Sequence, residues 1–419
     1  MTFRQSHKLD HVLYEIRGPV IEHANALEEA GHSVLRLNTG NPALFGFEAP
    51  EGILEDLIRN LPQAHGYTDS RGILPARQAV AGYYQQRGLS QVRANDVFLG
   101  NGVSELVSLA VHAFLDDGDE VLIPAPDYPL WTATVTLAGG RAVHYLCDEA
   151  TGWLPDLDDV AAKITERTKA LVIINPNNPT GAVYPRAVLE GIARLAERSG
   201  LVVFSDEIYD QMLYDGSEFV PMATLVKDTL CATLSGLSKV YRACGYRVGW
   251  VSFSGRKSNA TEYFSALELL SSLRLCSNVP AQWAVQTALG GYQSIKELVS
   301  PGGRLYESRR AIANAVATSR YLDVQPMAGA MYAFIGVKTE ELPDFDDQQF
   351  AALLLVAHTI PAHDLQRAAK RARLLLVARC ITQQQVPAVG GDDFGDQGFC
   401  EQRNMQLPVS VHRMPQERS

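Results

Sequence analysis

Residues 170–181 read Ala-Leu-Val-Ile-Ile-Asn-Pro-Asn-Asn-Pro-Thr-Gly. Five apolar residues stand in a row, without the polar alternation of a half-exposed strand, and an Asn/Pro/Gly turn ends them. A continuous apolar run of this length is what a strand covered on both faces needs. The pattern recurs outward in both directions. Val97–Leu99 precedes Gly100-Asn-Gly102, and Glu120–Ile123 precedes Pro124-Ala-Pro126. Leu201–Phe204, Leu230–Leu234 and Gly249–Phe253 follow. Between them, Val103–Leu115 and Val188–Arg198 carry helical spacing. Strand-like runs alternating with helices predict an α/β fold, a large domain with a mainly parallel sheet flanked by helices. In such sheets ligands sit at the carboxyl ends of the strands, which directs attention to the residues just after each run.

Residues 1–45 and the region beyond about 300 do not share this alternation, and Pro301-Gly-Gly303 marks a break. The expectation is a large domain over 46–300 and a smaller α+β domain made from both chain ends, 1–45 and 301–350. Residues 351–419 differ in character. The last Trp is Trp283 and the last Tyr is Tyr332, and beyond residue 350 the aromatics are Phe394 and Phe399. That stretch carries seven Arg and one Lys, which sets it apart in composition and reads as an aberrant or disordered tail.

The whole chain has 419 residues, 46% hydrophobic and 20% charged, with a net charge of −10. This is globular composition, too apolar for a disordered chain. The acidic balance argues against a nucleic-acid or anionic-membrane partner, which would require a basic patch. No run approaches the ~18 apolar residues of a membrane span. The polar start, Met1-Thr-Phe-Arg-Gln-Ser-His-Lys8, lacks an apolar segment, so a cytoplasmic protein is expected. Six scattered cysteines without a Cys-x-x-Cys pair read as free thiols in a reducing compartment. His7 and His11 have no third ligand nearby, so no metal site is expected.

Several polar groups follow the predicted strands. Asn178 lies in the turn after Ala170–Ile174, and Asp206-Glu-Ile-Tyr209 follows Leu201–Phe204. Ser235-Gly-Leu-Ser-Lys239 follows Leu230–Leu234, with Arg247 eight residues later. Singly, these are a turn, a helix cap, a surface lysine and a surface arginine. Together, in this order, they match what pyridoxal phosphate chemistry requires. Lys239 supplies the amine that holds the cofactor. Asp206 is the acid that keeps the ring nitrogen protonated, and Asn178 and Tyr209 suit the 3-oxygen. Gly102, Val103 and Ser104 open a helix toward a phosphate, Ser238 adds a hydroxyl, and Arg247 adds a guanidinium fork. Tyr128, in Ala125-Pro-Asp-Tyr-Pro129, is positioned in sequence to stack on the ring.

On these residues the sequence resembles the fold-type I aminotransferases of classes I and II, over roughly residues 5 to 350. The motifs are Asn178-Pro-Thr-Gly181, Asp206-Glu-Ile-Tyr209 and Ser235-Gly-Leu-Ser-Lys239 with Arg247. More narrowly it is similar to bacterial glutamate–pyruvate (alanine) aminotransferases. That match runs through Leu37-Asn-Thr-Gly-Asn-Pro42, Gly66-Tyr-Thr-Asp-Ser70, Asn101-Gly-Val-Ser-Glu105, Pro124–Trp131, Ala288–Gln293 and Pro301–Glu307. The resemblance implies ping-pong transfer of an amino group between an L-amino acid, alanine, and a 2-oxo acid, 2-oxoglutarate. Lys239, Asp206 and Tyr209 are the implied catalytic residues. It also implies that Gly40 and Asn178 face the substrate, and that Tyr67 reaches the phosphate of a neighbouring subunit's cofactor in a homodimer with shared sites.

The sequence departs from that family in one respect. Members carry a carboxylate-gripping Arg in a Phe-Arg strand near the C-terminus, and no such motif stands here. Arg379, in Leu374-Leu-Leu-Val-Ala-Arg379, is not assigned that role. A shifted reading frame from about residue 351 is the expectation, tested by sequencing the coding DNA. Two other readings of the whole remain: a pyridoxal-dependent lyase on the same scaffold, and a cofactor-binding protein impaired by its altered C-terminus.

Overall fold

The computed structural model describes residues 3–10, 12, 19–37, 40–338 and 377–380. Its centre is an eight-stranded sheet. The strands in chain order are β1 (Val97–Gly100), β2 (Glu120–Ala125), β3 (Arg141–Asp148), β4 (Leu154–Pro155), β5 (Thr168–Ile174), β6 (Val202–Asp206), β7 (Leu230–Gly236) and β8 (Gly249–Gly255). Their spatial order is β1-β8-β7-β6-β5-β2-β3-β4. Strands β7, β6, β5, β2 and β3 run parallel, while β8 is antiparallel to both its neighbours and β4 is antiparallel to β3.

The apolar runs behave as their composition demands. Every residue of β6 and β7 is buried, and so is all of β5 except Lys169. Alternate side chains feed two cores, one on each face. Leu171, Ile173, Val203 and Cys231 join the core that contains Leu189, Ile192 and Ala196 of the helix Arg186–Ser199. Val172, Ile174, Phe204, Ala232 and Leu234 join the other, with Leu106, Val107 and Ala110 of the helix Val103–His112. Helices on both faces leave only the strand ends open to a ligand.

β3 escaped the sequence reading. It is a near-edge strand in which buried Tyr145 and Cys147 alternate with less buried neighbours, so it presents no continuous apolar run. The direction of β8 is likewise invisible in its sequence, because an apolar run looks the same in either orientation.

A second, smaller sheet pairs β9 (Leu322–Val324), β10 (Tyr332–Val337) and β11 (Val377–Cys380) in the order β11-β10-β9. β10 is antiparallel to β9 and parallel to β11. Ile312 and Val316 of the helix Arg304–Ala317 pack there against Met327 and Ala333. β11 lies within 351–419 and sets Arg379 opposite Phe334 in the ladder. The rest of that stretch lies outside the described residues. Among the described residues no helix is long and apolar enough to cross a membrane, and Cys147, Cys231, Cys244 and Cys276 are free thiols.

Candidate active site

Register decides what meets at the carboxyl end of the sheet. Ile174 lies opposite Asp206 and Asp206 opposite Leu234, so three strands finish side by side. The Asn178 turn, the Asp206–Tyr209 segment and the Ser235–Lys239 segment therefore leave the sheet together. Gly236 and Gly100 both pair with Gly249, which brings the opening of the helix Val103–His112 to the same edge.

Asp206 ends β6 and is buried. Its carboxylate accepts the Ile208 amide at 3.3 Å and the Trp131 indole N–H at 3.4 Å. Among the described residues no cation forms an ion pair with it. Burial pushes this carboxyl up to about 6, against the lowering pull of those two donors and the Lys239 charge. The neighbouring acid has gone elsewhere. Glu207 accepts the Ser205 hydroxyl at 2.9 Å and the Met222 amide at 3.0 Å, and burial pushes it up to about 8.

Lys239 is half-buried, and its Nζ donates to the Gly40 carbonyl at 2.8 Å. A Cβ on Gly40 would stand 3.3 Å from that Nζ and 2.7 Å from the Tyr332 hydroxyl, so the chain at residue 40 passes where a side chain does not fit. The Tyr209 and Tyr332 hydroxyls are hydrogen-bonded to each other, both residues are buried, and their rings meet edge to face at 5.5 Å. Tyr128 is half-buried at the start of the same region and packs against the core on the Trp131 side.

Gly102 caps the helix Val103–His112 at a φ of 84°, in the left-handed region that a side chain disfavours. A Cβ there would also lie 2.2 Å from an Arg247 guanidinium nitrogen. Arg247 itself holds a left-handed φ of 52° and is exposed. It donates to the Cys244 carbonyl at 2.8 Å and the Asn101 carbonyl at 3.1 Å. Two of its five donors are thus used in aiming the fork, and among the described residues the remainder stay available. Ser104 is exposed in the first helical turn, Val103 is half-buried beside it, and Ser238 is buried ahead of Lys239.

The structure thus brings together Gly40, Lys239, Tyr209 and Asp206 by direct contact or charge, and Gly102 with Arg247. Asn178 sits in a turn braced by its neighbour, since Asn177 accepts the Thr180 amide at 3.1 Å and its hydroxyl at 2.8 Å. Tyr67 is 81% exposed.

Three groups at this edge had been given no role from sequence. Tyr332 reaches in from β10, some 120 residues beyond Tyr209, and no local pattern announces it. Trp131 reads as an ordinary core aromatic until its indole meets Asp206. Glu105 carried a legible signal, because an acid in the first helical turn can reach back to the residues before the cap. It accepts the Asn101 amide at 2.7 Å and the Asn101 side-chain amide at 2.8 Å, and pairs with Arg274 at 3.1 Å.

This geometry has counterparts. The family described as aminotransferase class I and II matches residues 32–372, so the likeness extends past residue 350. The chain is 53% identical over 354 residues to the glutamate-pyruvate aminotransferase AlaA of Haemophilus influenzae, covering 84% of this chain and 87% of that one. It is 52% identical over 359 residues to the alanine aminotransferase of Mycobacterium tuberculosis, covering 85% and 84%. Among solved structures, an Escherichia coli aminotransferase superposes with a TM-score of 0.83 at 52% identity, covering 85% of this chain and 88% of that one. An alanine aminotransferase from Pyrococcus furiosus gives 0.79 at 34% identity, covering 88% and 98%. With the motifs, the sheet and a family match across most of its length in agreement, the chain belongs to the class I and II aminotransferases, enzymes that work with pyridoxal phosphate.

Proposed function

We propose that this chain moves an amino group between alanine and 2-oxoglutarate, with pyridoxal 5'-phosphate held on Lys239. The observation that carries the reading is Asp206, a buried carboxyl with no ion-pair partner among the described residues, one strand away from the strand that leads to Lys239. Burying an acid alone is unfavourable, and burial beside a bound cation reverses the sign. A protonated pyridine ring nitrogen is such a cation. When bound, the cofactor supplies an electron-withdrawing ring that carries the charge left as a substrate Cα–H bond breaks.

The remaining roles belong to side chains. Asp206 holds the proton on the ring nitrogen. Lys239 Nζ would hold the cofactor, and its amine is placed to carry the proton taken from the substrate Cα. Tyr209 and Asn178 donate to the ring 3-oxygen. Amides at Gly102, Val103 and Ser104, the Ser238 hydroxyl and the free donors of Arg247 hold the phosphate. Tyr128 covers one ring face, and Gly40 and Asn178 border the substrate. The names of the relatives that are more than 50% identical support alanine, glutamate and pyruvate as substrates. Tyr67, which is exposed, fits a reach into a second copy, and the working form we propose is a cytoplasmic homodimer with shared sites. The family match reaches residue 372, so a shifted reading frame that replaces the family's C-terminal carboxylate-binding segment would begin beyond it rather than at about residue 351.

Absorbance titration of the purified protein tests the central claim. Alanine and glutamate convert the lysine-linked cofactor into its amine form, and 2-oxoglutarate converts it back. Turnover of cysteine to pyruvate, ammonia and sulfide without an oxo acid, or no change on adding alanine, overturns it.

A further inference from the structure

Tyr332 opens β10, in the smaller sheet, yet its hydroxyl meets Tyr209 at the end of the large sheet. The approach is fixed by backbone as well as by side chains. The Ala330 amide donates to the Met212 carbonyl at 2.9 Å, and the Tyr214 hydroxyl donates to the Ala330 carbonyl at 3.0 Å. The Gly329 amide donates to the Gly181 carbonyl at 2.8 Å, beside the Asn178 turn. The segment 329–332 is therefore fastened to the chain that carries Tyr209 and to the chain that carries Asn178. Tyr332 is 5% exposed, and its ring meets Tyr209 edge to face.

Proton counting then assigns a direction. A phenol has one proton to donate and two lone pairs to accept with. If Tyr209 gives its proton to the 3-oxygen of the cofactor, the hydrogen bond between the two phenols can be filled only from Tyr332. A donor to the Tyr209 oxygen polarises the Tyr209 O–H and strengthens its donation onward. The same contact fixes the Tyr209 O–H in rotation, because only one setting leaves its lone pair toward Tyr332.

We propose that Tyr332 is a positioning residue for the transamination chemistry, donating to Tyr209 so that the Tyr209 proton is held toward the cofactor 3-oxygen. The inference rests on the function proposed above. Its consequence is electrostatic. The 3-oxygen carries more negative charge when the neighbouring lysine–cofactor linkage has lost its proton, so a strong donor there favours the unprotonated linkage. Removing the Tyr332 hydroxyl weakens that donor and raises the pH at which the linkage titrates.

The test compares Tyr332→Phe, Tyr209→Phe and the double variant as cofactor-loaded proteins. The pH titration of the visible absorbance band and the kinetics with alanine and 2-oxoglutarate are followed. In Tyr332→Phe the titration midpoint rises by roughly half a unit to one unit, as expected for one weakened hydrogen bond. Turnover falls by about three- to tenfold, while KM for alanine stays within about twofold. In the Tyr209→Phe background the substitution at 332 leaves the midpoint in place, since its effect runs through the lost hydroxyl. An unchanged midpoint in Tyr332→Phe, or the same rise in both backgrounds, overturns the proposal. A visible band that survives Lys239→Ala overturns both this proposal and the function on which it rests.

Discussion

Two buried acids on one sheet have opposite fates. Glu120 begins β2 and Asp206 ends β6, two strands that run in the same direction, so the acids mark opposite ends of the same layer. Glu120 is enclosed by partners. It accepts the Thr165 hydroxyl at 2.7 Å and Arg141 at 2.6 Å, and pairs with Arg167 at 3.1 Å. Burial works to raise it, but the Thr165 hydroxyl and the two guanidiniums outweigh that and hold it below the usual carboxylate range. Asp206 meets two neutral N–H donors and, among the described residues, no ion-pair partner, and burial wins, pushing it up to about 6. Burial is common to both; the difference is whether the fold provides the counter-charge. At the amino end of the strands the protein completes its own ion pair. At the carboxyl end it leaves Asp206 without an ion pair among the described residues, as a pocket for a cationic ligand group would require.

The largest expected break of this contrast is at Lys239. Lys239→Ala should lose the visible band of the lysine-linked cofactor, and turnover should fall by at least about 10²–10⁴-fold, the usual worth of a positioned acid–base group. A band that persists would mean that another amine holds the cofactor. Asp206→Ala comes next. It should weaken cofactor binding and slow turnover by about 10²–10³-fold, in line with the loss of one electrostatic stabiliser in an enclosed site. Normal turnover in that variant would remove Asp206 from its proposed role.

The two acids should also give opposite pH signatures in the cofactor-free protein. The folded-state value of Asp206 is raised above its ordinary 3.8, so its contribution is fully present below that value and is lost as pH rises through about 6. Thermal unfolding of the wild type should therefore lose ground against Asp206→Asn across that window, by up to about 3 kcal/mol. Glu120 is depressed below its ordinary 4.5, so its contribution is present above that value and is lost on acidification. Against Glu120→Gln, the wild type should lose ground as pH falls. Parallel curves for the two variants would erase the distinction between a completed and an incomplete acid. The smallest effect belongs to Arg141→Gln. Arg141 is largely exposed and Arg167 remains beside Glu120, so stability should drop by less than about 1 kcal/mol with kcat unchanged.

Much of the site was legible because its residues follow strands directly. Asp206 is the last residue of β6 and Lys239 stands three residues past β7, so finding the strands finds the groups. Gly102 was legible as a helix opening, and its left-handed φ supplies the reason for a glycine. Tyr332 was not legible. It starts a short strand of another sheet, and nothing within ten residues of it in sequence refers to Tyr209. Trp131 was hidden for a related reason: an indole in a core and an indole facing a carboxylate have the same local sequence. β3 was missed because a partly exposed strand carries no unbroken apolar run.

The sequence by itself determined the family, the α/β layering and the order of the polar groups along the chain. Apolar periodicity and turn residues act locally, and their spacing survives in one dimension. Tertiary structure alone decided which groups are paired and which are left without a counter-charge. Register put Ile174, Asp206 and Leu234 level with one another, β8 entered antiparallel, and the turn at 329–332 carried a phenol from the second sheet onto Tyr209. Such long-range contacts depend on how separated segments pack against one another, and the electrostatic character of Asp206 and Glu120 follows from that packing rather than from the identity of either acid.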